Sequence, residues 1–183
     1  MSNCVLGMYI SKLALKGELN CQNQAVLTYD ICYPRFQSGK FKNAAMTMNN
    51  FYRCSAAELK RRYEKELYCM AGNDLKCRES GDFPTYQGVQ DFKVCYNGNC
   101  TLSVYYDKYE FTGGAHGTTL RCSDTWNLQS GLRMKISDFF SPCVNFCDYV
   151  TGAVKAEIKR QIDCGEVSYF DDWEKLVNKT FNQ

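Results

Sequence analysis

The chain has 183 residues, 45% of them hydrophobic and 23% charged, which is typical of a globular domain and excludes a disordered or fibrous protein. Its 22 basic and 20 acidic residues are mixed along the chain and leave a net charge of +2, so no basic surface for nucleic acid is indicated. No apolar run reaches the roughly 18 residues of a membrane-spanning helix, and the N-terminus lacks the basic and apolar regions of a signal peptide. The chain as given is therefore expected to be cytoplasmic.

Two strands are predicted near the N-terminus, at residues 8–15 and 25–33. In the second, apolar and polar residues alternate, which is the period of a half-buried strand. Pro34 is expected to end this strand, because proline has no N–H to donate to a sheet. A long amphipathic helix is predicted at residues 41–70, with Gly72-Asn73 as its C-terminal stop.

Three consecutive strands are predicted in the middle of the chain, at residues 86–96, 101–112 and 118–128. Asn97-Gly98 lies between the first two and is a hairpin signal, so this region is interpreted as an antiparallel meander. One face of the third strand is expected to be apolar and to carry Leu120, Cys122, Trp126 and Leu128.

Two further amphipathic helices are predicted towards the C-terminus, at about residues 147–162 and 173–178. Together these elements predict one α+β domain over residues 1–183, in which an antiparallel β-sheet packs against one long and one or two shorter α-helices. The N-terminal strands and the long helix span residues 1–80. The meander and the C-terminal helices span residues 81–183.

The chain contains twelve cysteines but only one histidine and no CxxC pair. A Cys₂His₂ zinc site is therefore impossible, and no metal site is predicted. Most of the cysteines are interpreted as small buried apolar side chains, with disulfides left open. No nucleotide-binding or zinc-hydrolase motif occurs, so no cofactor is predicted. The densest basic run, Lys60-Arg61-Arg62, is interpreted as a solvated helix face, because acidic residues follow it directly.

The only histidine, His116, lies in a glycine-rich segment between two predicted strands. Gly113, Gly114 and Gly117 favour a tight bend there, since glycine adopts backbone conformations that are closed to other residues. One interpretation is structural, with the imidazole bonded to a neighbouring group of the bend. His116 could also contact a ligand, or act as a general base near neutral pH.

A catalytic role for His116 would require an activated nucleophile. Nothing local provides one, since Cys122 is six residues away and on the predicted apolar face. A serine triad would have to use Ser103 or Ser123 with Asp107 or Asp124, yet no GxSxG motif is present. No catalytic residue is therefore predicted.

The segment Tyr109-Glu-Phe-Thr-Gly-Gly-Ala-His-Gly117 resembles the signature of the RsiV-like family, in which aromatic residues precede Thr-Gly-Gly-Ala-His-Gly. Three other segments resemble further blocks of this family in the same chain order: Tyr29-Asp-Ile-Cys-Tyr-Pro34, Trp126-Asn-Leu-Gln-Ser-Gly131 and Met134-Lys-Ile-Ser-Asp-Phe-Phe140. The family contains bacterial lysozyme-sensing anti-sigma factors, and a related domain forms the non-catalytic part of the peptidoglycan deacetylase PdaC.

The resemblance implies a non-catalytic binding or sensor domain whose partner is a lysozyme-like protein or a peptidoglycan fragment. Its candidate ligand contacts are His116 and the aromatic residues Tyr109, Tyr105 and Trp126, which are expected to be exposed. The C-terminal strands usual in this family have no counterpart in the sequence after Phe181, and related domains are usually extracytoplasmic. The alternatives are a small cytoplasmic hydrolase that uses His116 with a nearby Cys or Ser, and an assembly-dependent protein whose edge strand takes up a partner strand.

Overall fold

A computed structural model describes residues 7–78, 82–165 and 167–180 of the chain. In these residues six strands form one sheet in sequential order, β1-β2-β3-β4-β5-β6. The strands are β1 (Tyr9–Cys21), β2 (Gln24–Gln37), β3 (Tyr86–Gly98), β4 (Thr101–Phe111), β5 (Thr118–Asn127) and β6 (Leu132–Met134). The pairs β1–β2, β3–β4 and β4–β5 are antiparallel, whereas β2–β3 is parallel. The predicted α+β class is confirmed, with one parallel pair in a sheet that was predicted to be antiparallel.

One continuous helical segment connects β2 to β3 and explains the parallel pair, because parallel neighbours need a long crossover. It consists of α1 (Lys42–Arg62), a π-helical turn (Tyr63–Leu67) and α2 (Tyr68–Cys77). The predicted stop at Gly72-Asn73 is wrong. Gly72 is buried inside α2, and the helix ends where Arg78 becomes extended.

Two clusters of buried side chains fill the space between this helix and the sheet. The first joins α1 to the ends of β2, β4 and β5 and includes Phe36, Met48, Tyr52, Leu102 and Trp126. The second joins β2 to the later helical turns and includes Leu27, Ile31, Leu59, Tyr63 and Leu67. The prediction of an apolar face on β5 is only partly correct. Leu120 is 59% exposed, and the acidic Asp124, on the same face of the strand, is buried.

The structure corrects the prediction that Pro34 ends a strand, since β2 continues to Gln37. The ladder to β3 ends at the pair Ile31–Gln90, so Pro34 has a strand neighbour only on the β1 side. Side-chain amides replace the missing strand on the other side. Gln90 Nε2 donates to the Cys32 carbonyl oxygen at 2.9 Å, and the Asn49 amide bonds both the N–H and the C=O of Phe36, at 2.8 and 2.9 Å. Pro34 lies between these residues, at a position where no partner strand among the described residues needs an N–H donor.

The chain divides into two compact units, Met1–Arg133 and Met134–Gln183. The second contains a short 3₁₀ helix (Ile136–Phe139), α3 (Phe146–Asp163) and α4 (Trp173–Thr180), so both predicted C-terminal helices are present. None of the helices in the described residues is both long and apolar enough to cross a membrane. The extent of a single domain over 1–183 stays a prediction.

The cysteines differ from their predicted burial. Among the eleven that the structure describes, all are free and only Cys32 is buried. The others lie on the surface or are half-buried. Within the described part of the chain, no group of three or more His, Cys, Asp or Glu side chains could hold a metal ion.

Candidate functional site

A cavity of about 750 Å³ lies between α1 and the ends of β4 and β5 that join the glycine-rich bend. Its volume is within the roughly 300–1,000 Å³ of small-molecule sites. Successive turns of the helix contribute one wall, and the cross-strand pairs Lys108–Leu120 and Glu110–Thr118 contribute the other. The charged side chains of the cavity, hereafter the charged cavity, are Arg61, Arg62, Lys65, Lys108, Glu58, Glu66 and Glu110.

An ion pair between Arg62 and Glu110 links the two walls. Both terminal guanidinium nitrogens of Arg62 donate to the Glu110 carboxylate, and the Nη2–Oε2 distance is 2.9 Å. These hydrogen bonds hold the pKa of Glu110 below its usual range, against the opposing effect of burial. Arg62 also lies 3.5 Å from Glu66, so its positive charge is shared between two carboxylates.

Two lysines of the charged cavity differ from its arginines in their ion pairing. Neither Lys65 nor Lys108 forms an ion pair with any residue that the structure describes. Lys108 Nζ lies 5.4 Å from the centre of the Tyr106 ring, a contact that leaves its ammonium donors available. Neither ammonium group therefore has an ion-pair partner among the described residues, and the charge of Lys108 also contributes to the lowered pKa of Glu110.

Tyr63 supports this wall from behind. It begins the π-helical turn directly after Arg62 and is fully buried. A Cβ atom at Gly88 would lie 2.5 Å from the Tyr63 ring, so only glycine leaves room for it on β3. The hydroxyl group of Tyr63 has no hydrogen-bond partner among the described residues. Burial raises the pKa of Tyr63, and the negative charge of Glu110 raises it further.

The Arg62–Glu110 pair predicts a specific response to acid. A carboxyl group whose pKa is lowered by folding contributes stability above its unfolded pKa of about 4.3, and loses that contribution as the pH falls through the folded value. The free energy of unfolding should therefore fall more steeply below about pH 4.3 in the wild type than in Arg62→Ala. The expected difference is about 1 kcal/mol or less, because the pair is partly exposed.

Urea denaturation between about pH 7 and pH 3 measures this difference. Arg61→Ala is the matched control, since it removes a neighbouring arginine whose pair with Glu58 is longer, 3.4 Å, and more exposed. Identical acid dependence in the wild type and Arg62→Ala would show that Glu110 is not stabilised by this pair.

The glycine-rich bend joins β4 to β5 as predicted, and its glycines have different environments. Gly113 has a φ of +85°, which favours glycine. A Cβ atom at Gly117 would lie 2.4 Å from the Tyr109 ring and 2.6 Å from the Glu110 carbonyl oxygen. At Gly114 the nearest atom would be the His116 carbonyl oxygen, at 3.9 Å. Steric limits therefore act at Gly113 and Gly117 rather than at Gly114.

His116 is exposed at this bend. Its imidazole forms no hydrogen bond with any residue in the described part of the chain, so the expected bond within the bend is not observed. Along β5, Cys122 and Ser123 are four and five residues beyond Thr118, which corresponds to roughly 14 and 17 Å. The proposed nucleophiles on this strand are therefore not adjacent to the bend.

The other residues of the hypothetical triads have different partners. The Ser103 hydroxyl group lies 3.0 Å from that of Thr125. Asp107 accepts two hydrogen bonds from Arg121, each 2.7 Å long. Asp124 takes part in a buried network with residues from α1 and from the segment that follows β5.

Trp126 belongs to this buried network and is 3% exposed, so the expectation that it is an exposed aromatic residue is wrong. Its Nε1 donates to the Tyr52 hydroxyl group at 3.0 Å, and Tyr52 donates to Asp124 Oδ2 at 3.1 Å. Arg133 Nη1 also lies 3.1 Å from Asp124. Trp126 closes the core between α1 and β5, because its ring packs edge-on against the Phe51 ring, with 5.4 Å between the ring centres.

Tyr105 and Tyr109 are half-buried on β4. Since side chains alternate along a strand, they lie on the opposite face from Lys108 and Glu110. The Arg121 guanidinium lies 4.3 Å from the centre of the Tyr105 ring, and the Tyr109 ring lies beside Gly117. The sequence-predicted aromatic contacts are therefore outside the charged cavity.

Sequence reasoning did not identify the cationic residues of the charged cavity as site residues. The run Lys60-Arg61-Arg62 was the available signal, but its acidic neighbours favoured a solvated face. Lys108 gave no signal at all, because only the strand register places it opposite α1.

Comparison with solved structures supports the fold. A crystal structure of a DUF3298 family member from Bacteroides fragilis matches with a TM-score of 0.58 and 18% identity, over 94% of this chain and 75% of that one. A DUF3298 family protein from Pseudomonas aeruginosa matches with a TM-score of 0.53 and 18% identity, over 85% of this chain and 66% of that one. At these identities the likeness concerns the fold alone.

Comparison of sequences identifies the family. No curated protein matches the chain significantly. The profile of the family described as Deacetylase PdaC matches residues 20–119, which is more than half of the 183 residues. The matched segment contains β2, the long helical crossover, β3, β4 and the glycine-rich bend. The chain therefore belongs to the PdaC family, whose domain is the non-catalytic part of a deacetylase.

Proposed function

We propose that this chain is a non-catalytic binding module and that its charged cavity holds a carboxylate-bearing fragment of cell-wall glycan. The observation that carries the proposal is the pair of lysines, Lys65 and Lys108, which face one cavity without carboxylate partners among the described residues. An ammonium group that lacks an internal partner is a favourable donor to a ligand carboxylate.

The remaining lining suits a sugar with an acidic substituent. Leu120 is exposed and provides apolar surface for the ring face of a saccharide, next to the buried Leu59, and Ser55 and Thr118 provide hydroxyl groups. Peptidoglycan fragments combine sugar rings with carboxylates, whereas chitin oligosaccharides have similar rings without them. The joint presence of apolar, hydroxyl and cationic groups in the lining supports this proposed ligand class.

The size of the cavity favours a fragment over a whole protein. A lysozyme-like partner would cover about 800 Å² of surface on each side of a stable interface. A cavity of about 750 Å³ instead corresponds to a ligand of a few rings or residues. Resemblance to the RsiV-like family supports a sensor role, in which occupation of the cavity reports the presence of wall fragments.

Calorimetric titration with soluble peptidoglycan fragments tests this function. Binding to Lys65→Ala/Lys108→Ala should be at least about ten-fold weaker than to the wild type, since each charged hydrogen bond contributes about 1.5–3 kcal/mol. The matched control is Lys175→Ala/Lys179→Ala, which makes the same change of charge on exposed positions of α4. Chitin oligosaccharides should not distinguish the double variant from the wild type.

The same titrations with lysozyme and with His116→Ala address the remaining alternatives. His116→Ala should fold and bind the fragments, because its side chain is exposed and does not line the cavity. A folded His116→Ala that loses binding would make His116 a ligand contact. Failure of the wild type to bind peptidoglycan fragments would overturn the proposal.

A further inference from the structure

Strand β1 is a 13-residue edge strand with one neighbour, β2, among the strands that the structure describes. Its polar backbone groups alternate between the two sides. On β2, Cys32 and Phe36 direct their backbone groups away from β1, towards Gln90 and Asn49. The odd-numbered residues of β2, such as Tyr33 and Arg35, therefore bond β1, and their partners on β1 are also odd-numbered. The even-numbered residues of β1 thus turn their N–H and C=O groups outwards.

Two devices that protect such an edge, proline and bulges, are absent from most of β1. The strand contains no proline, and its pairing is regular from Tyr9 to Leu19, with an irregularity only at Leu19/Asn20. A long regular edge with unpaired backbone groups is a template for another strand. Its charged side chains then decide which strand fits.

We propose that β1 pairs with β1 of a second copy of this chain, antiparallel and about a two-fold axis at Leu15. In this register Lys12 lies opposite Glu18 of the other copy, and Ala14 lies opposite Lys16. All four residues are even-numbered, so their outward backbone groups face each other. The two-fold axis repeats both pairs, and the four pairs exchange about eight backbone hydrogen bonds.

Charge complementarity selects this register over its neighbours. Glu18 forms no ion pair with any described residue, and the proposed register places it opposite Lys12 of the other copy. Lys12 lies 2.8 Å from Asp91 in its own chain, so Glu18 would be its second carboxylate neighbour. An axis shifted to Ala14 would instead place Lys12 opposite Lys16. An axis shifted to Lys16 would place that lysine opposite itself. Like charges directly opposite each other on a sheet are unfavourable.

The apolar face of β1 also fits a second copy. Leu13 is 37% exposed and in this register lies opposite Gly17 of the other copy. The Tyr29 ring lies over Gly17, where a Cβ atom would be only 2.4 Å from it. Leu13 of one copy thus meets the Tyr29 ring of the other, and Leu15 meets its own equivalent at the axis.

Sedimentation of the full chain at concentrations up to about 1 mM tests the pairing. The wild type is expected to form a dimer whose fraction rises with concentration. Ala14→Pro should be monomeric yet folded by circular dichroism, because it removes only an outward N–H from an edge strand. A strictly monomeric wild type over this range overturns the proposal.

Charge reversal tests the register. Glu18→Lys should weaken the dimer by on the order of ten-fold, because two lysine pairs replace two opposite-charge pairs. Adding Lys12→Glu should restore much of the affinity. Glu174→Lys makes the same change of charge on α4 and should leave the dimer unchanged. A dimer that is insensitive to both Ala14→Pro and Glu18→Lys contradicts an interface at β1.

Hydrogen exchange locates the interface directly. The amides of Lys12, Ala14, Lys16 and Glu18 should become protected as the dimer forms, whereas those of the odd-numbered neighbours are already bonded to β2. Dimerisation without added protection at these even-numbered amides would overturn the proposal. These measurements involve no glycan and are independent of the proposed binding function.

Discussion

Trp126→Ala is expected to lower the free energy of unfolding by about 3–5 kcal/mol, the usual range for loss of a buried Trp or Phe side chain. Trp126 is 3% exposed, and its ring packs against both Phe51 and Tyr52. Alanine would leave a cavity between α1 and β5 and would remove the hydrogen bond to the Tyr52 hydroxyl group. A loss of this size is a large part of the roughly 5–15 kcal/mol that stabilises a typical domain.

Urea or thermal denaturation measures the loss, and two variants serve as controls. Trp126→Phe retains most of the ring volume and should be clearly more stable than Trp126→Ala. Tyr105→Ala truncates a half-buried aromatic residue of the neighbouring strand and should cost less than Trp126→Ala. A Trp126→Ala variant of wild-type stability that no longer binds a ligand would instead make Trp126 a contact residue.

Gly117→Ala is expected to destabilise the fold by about 1–3 kcal/mol, the usual cost of forcing extra volume into a packed site. The added Cβ would lie 2.4 Å from the Tyr109 ring and 2.6 Å from the Glu110 carbonyl oxygen. The ring could rotate away, but the carbonyl group belongs to the ladder between β4 and β5 and cannot. The strand ends next to the charged cavity would therefore have to move.

Gly114→Ala is the matched control for this effect. A Cβ atom there would meet no atom closer than 3.9 Å, so the change should alter the free energy of unfolding by no more than about 0.5 kcal/mol. Thermal denaturation of the two variants gives the comparison. Equal stability of Gly117→Ala and Gly114→Ala would show that the bend tolerates side chains at both positions.

Periodicity in the sequence was sufficient to predict most of the secondary structure. The long helix, the hairpin at Asn97-Gly98 and the strands on both sides of the glycine-rich bend all occur close to their predicted positions. These features depend on local spacing and backbone preference, which a sequence displays directly. The errors at Pro34 and Gly72 have one cause. Each residue was judged by its local tendency to end an element, whereas its tertiary environment decides the outcome: no strand of the described residues pairs with Pro34 on the side away from β1, and Gly72 is buried inside α2.

The sequence predicted much less of the candidate site than of the fold. Aromatic residues near the signature were predicted as contacts, yet Trp126 is buried, and Tyr105 and Tyr109 lie on the other face from the charged cavity. Arg62 and Glu110 are separated by 48 positions, and no local pattern connects them. Their proximity follows from the crossover that places α1 over the ends of β4 and β5.

By itself, the sequence determined the α+β class, the order of helices and strands, and the glycine-rich bend between β4 and β5. Tertiary structure alone decided which side chains share the charged cavity, that Trp126 belongs to the core, and that β1 is an edge strand of the sheet in the described residues. The physical reason is the range of the interactions. Backbone preferences and apolar periodicity act over a few neighbouring residues, whereas ion pairs, burial and strand register join residues that are distant in the chain.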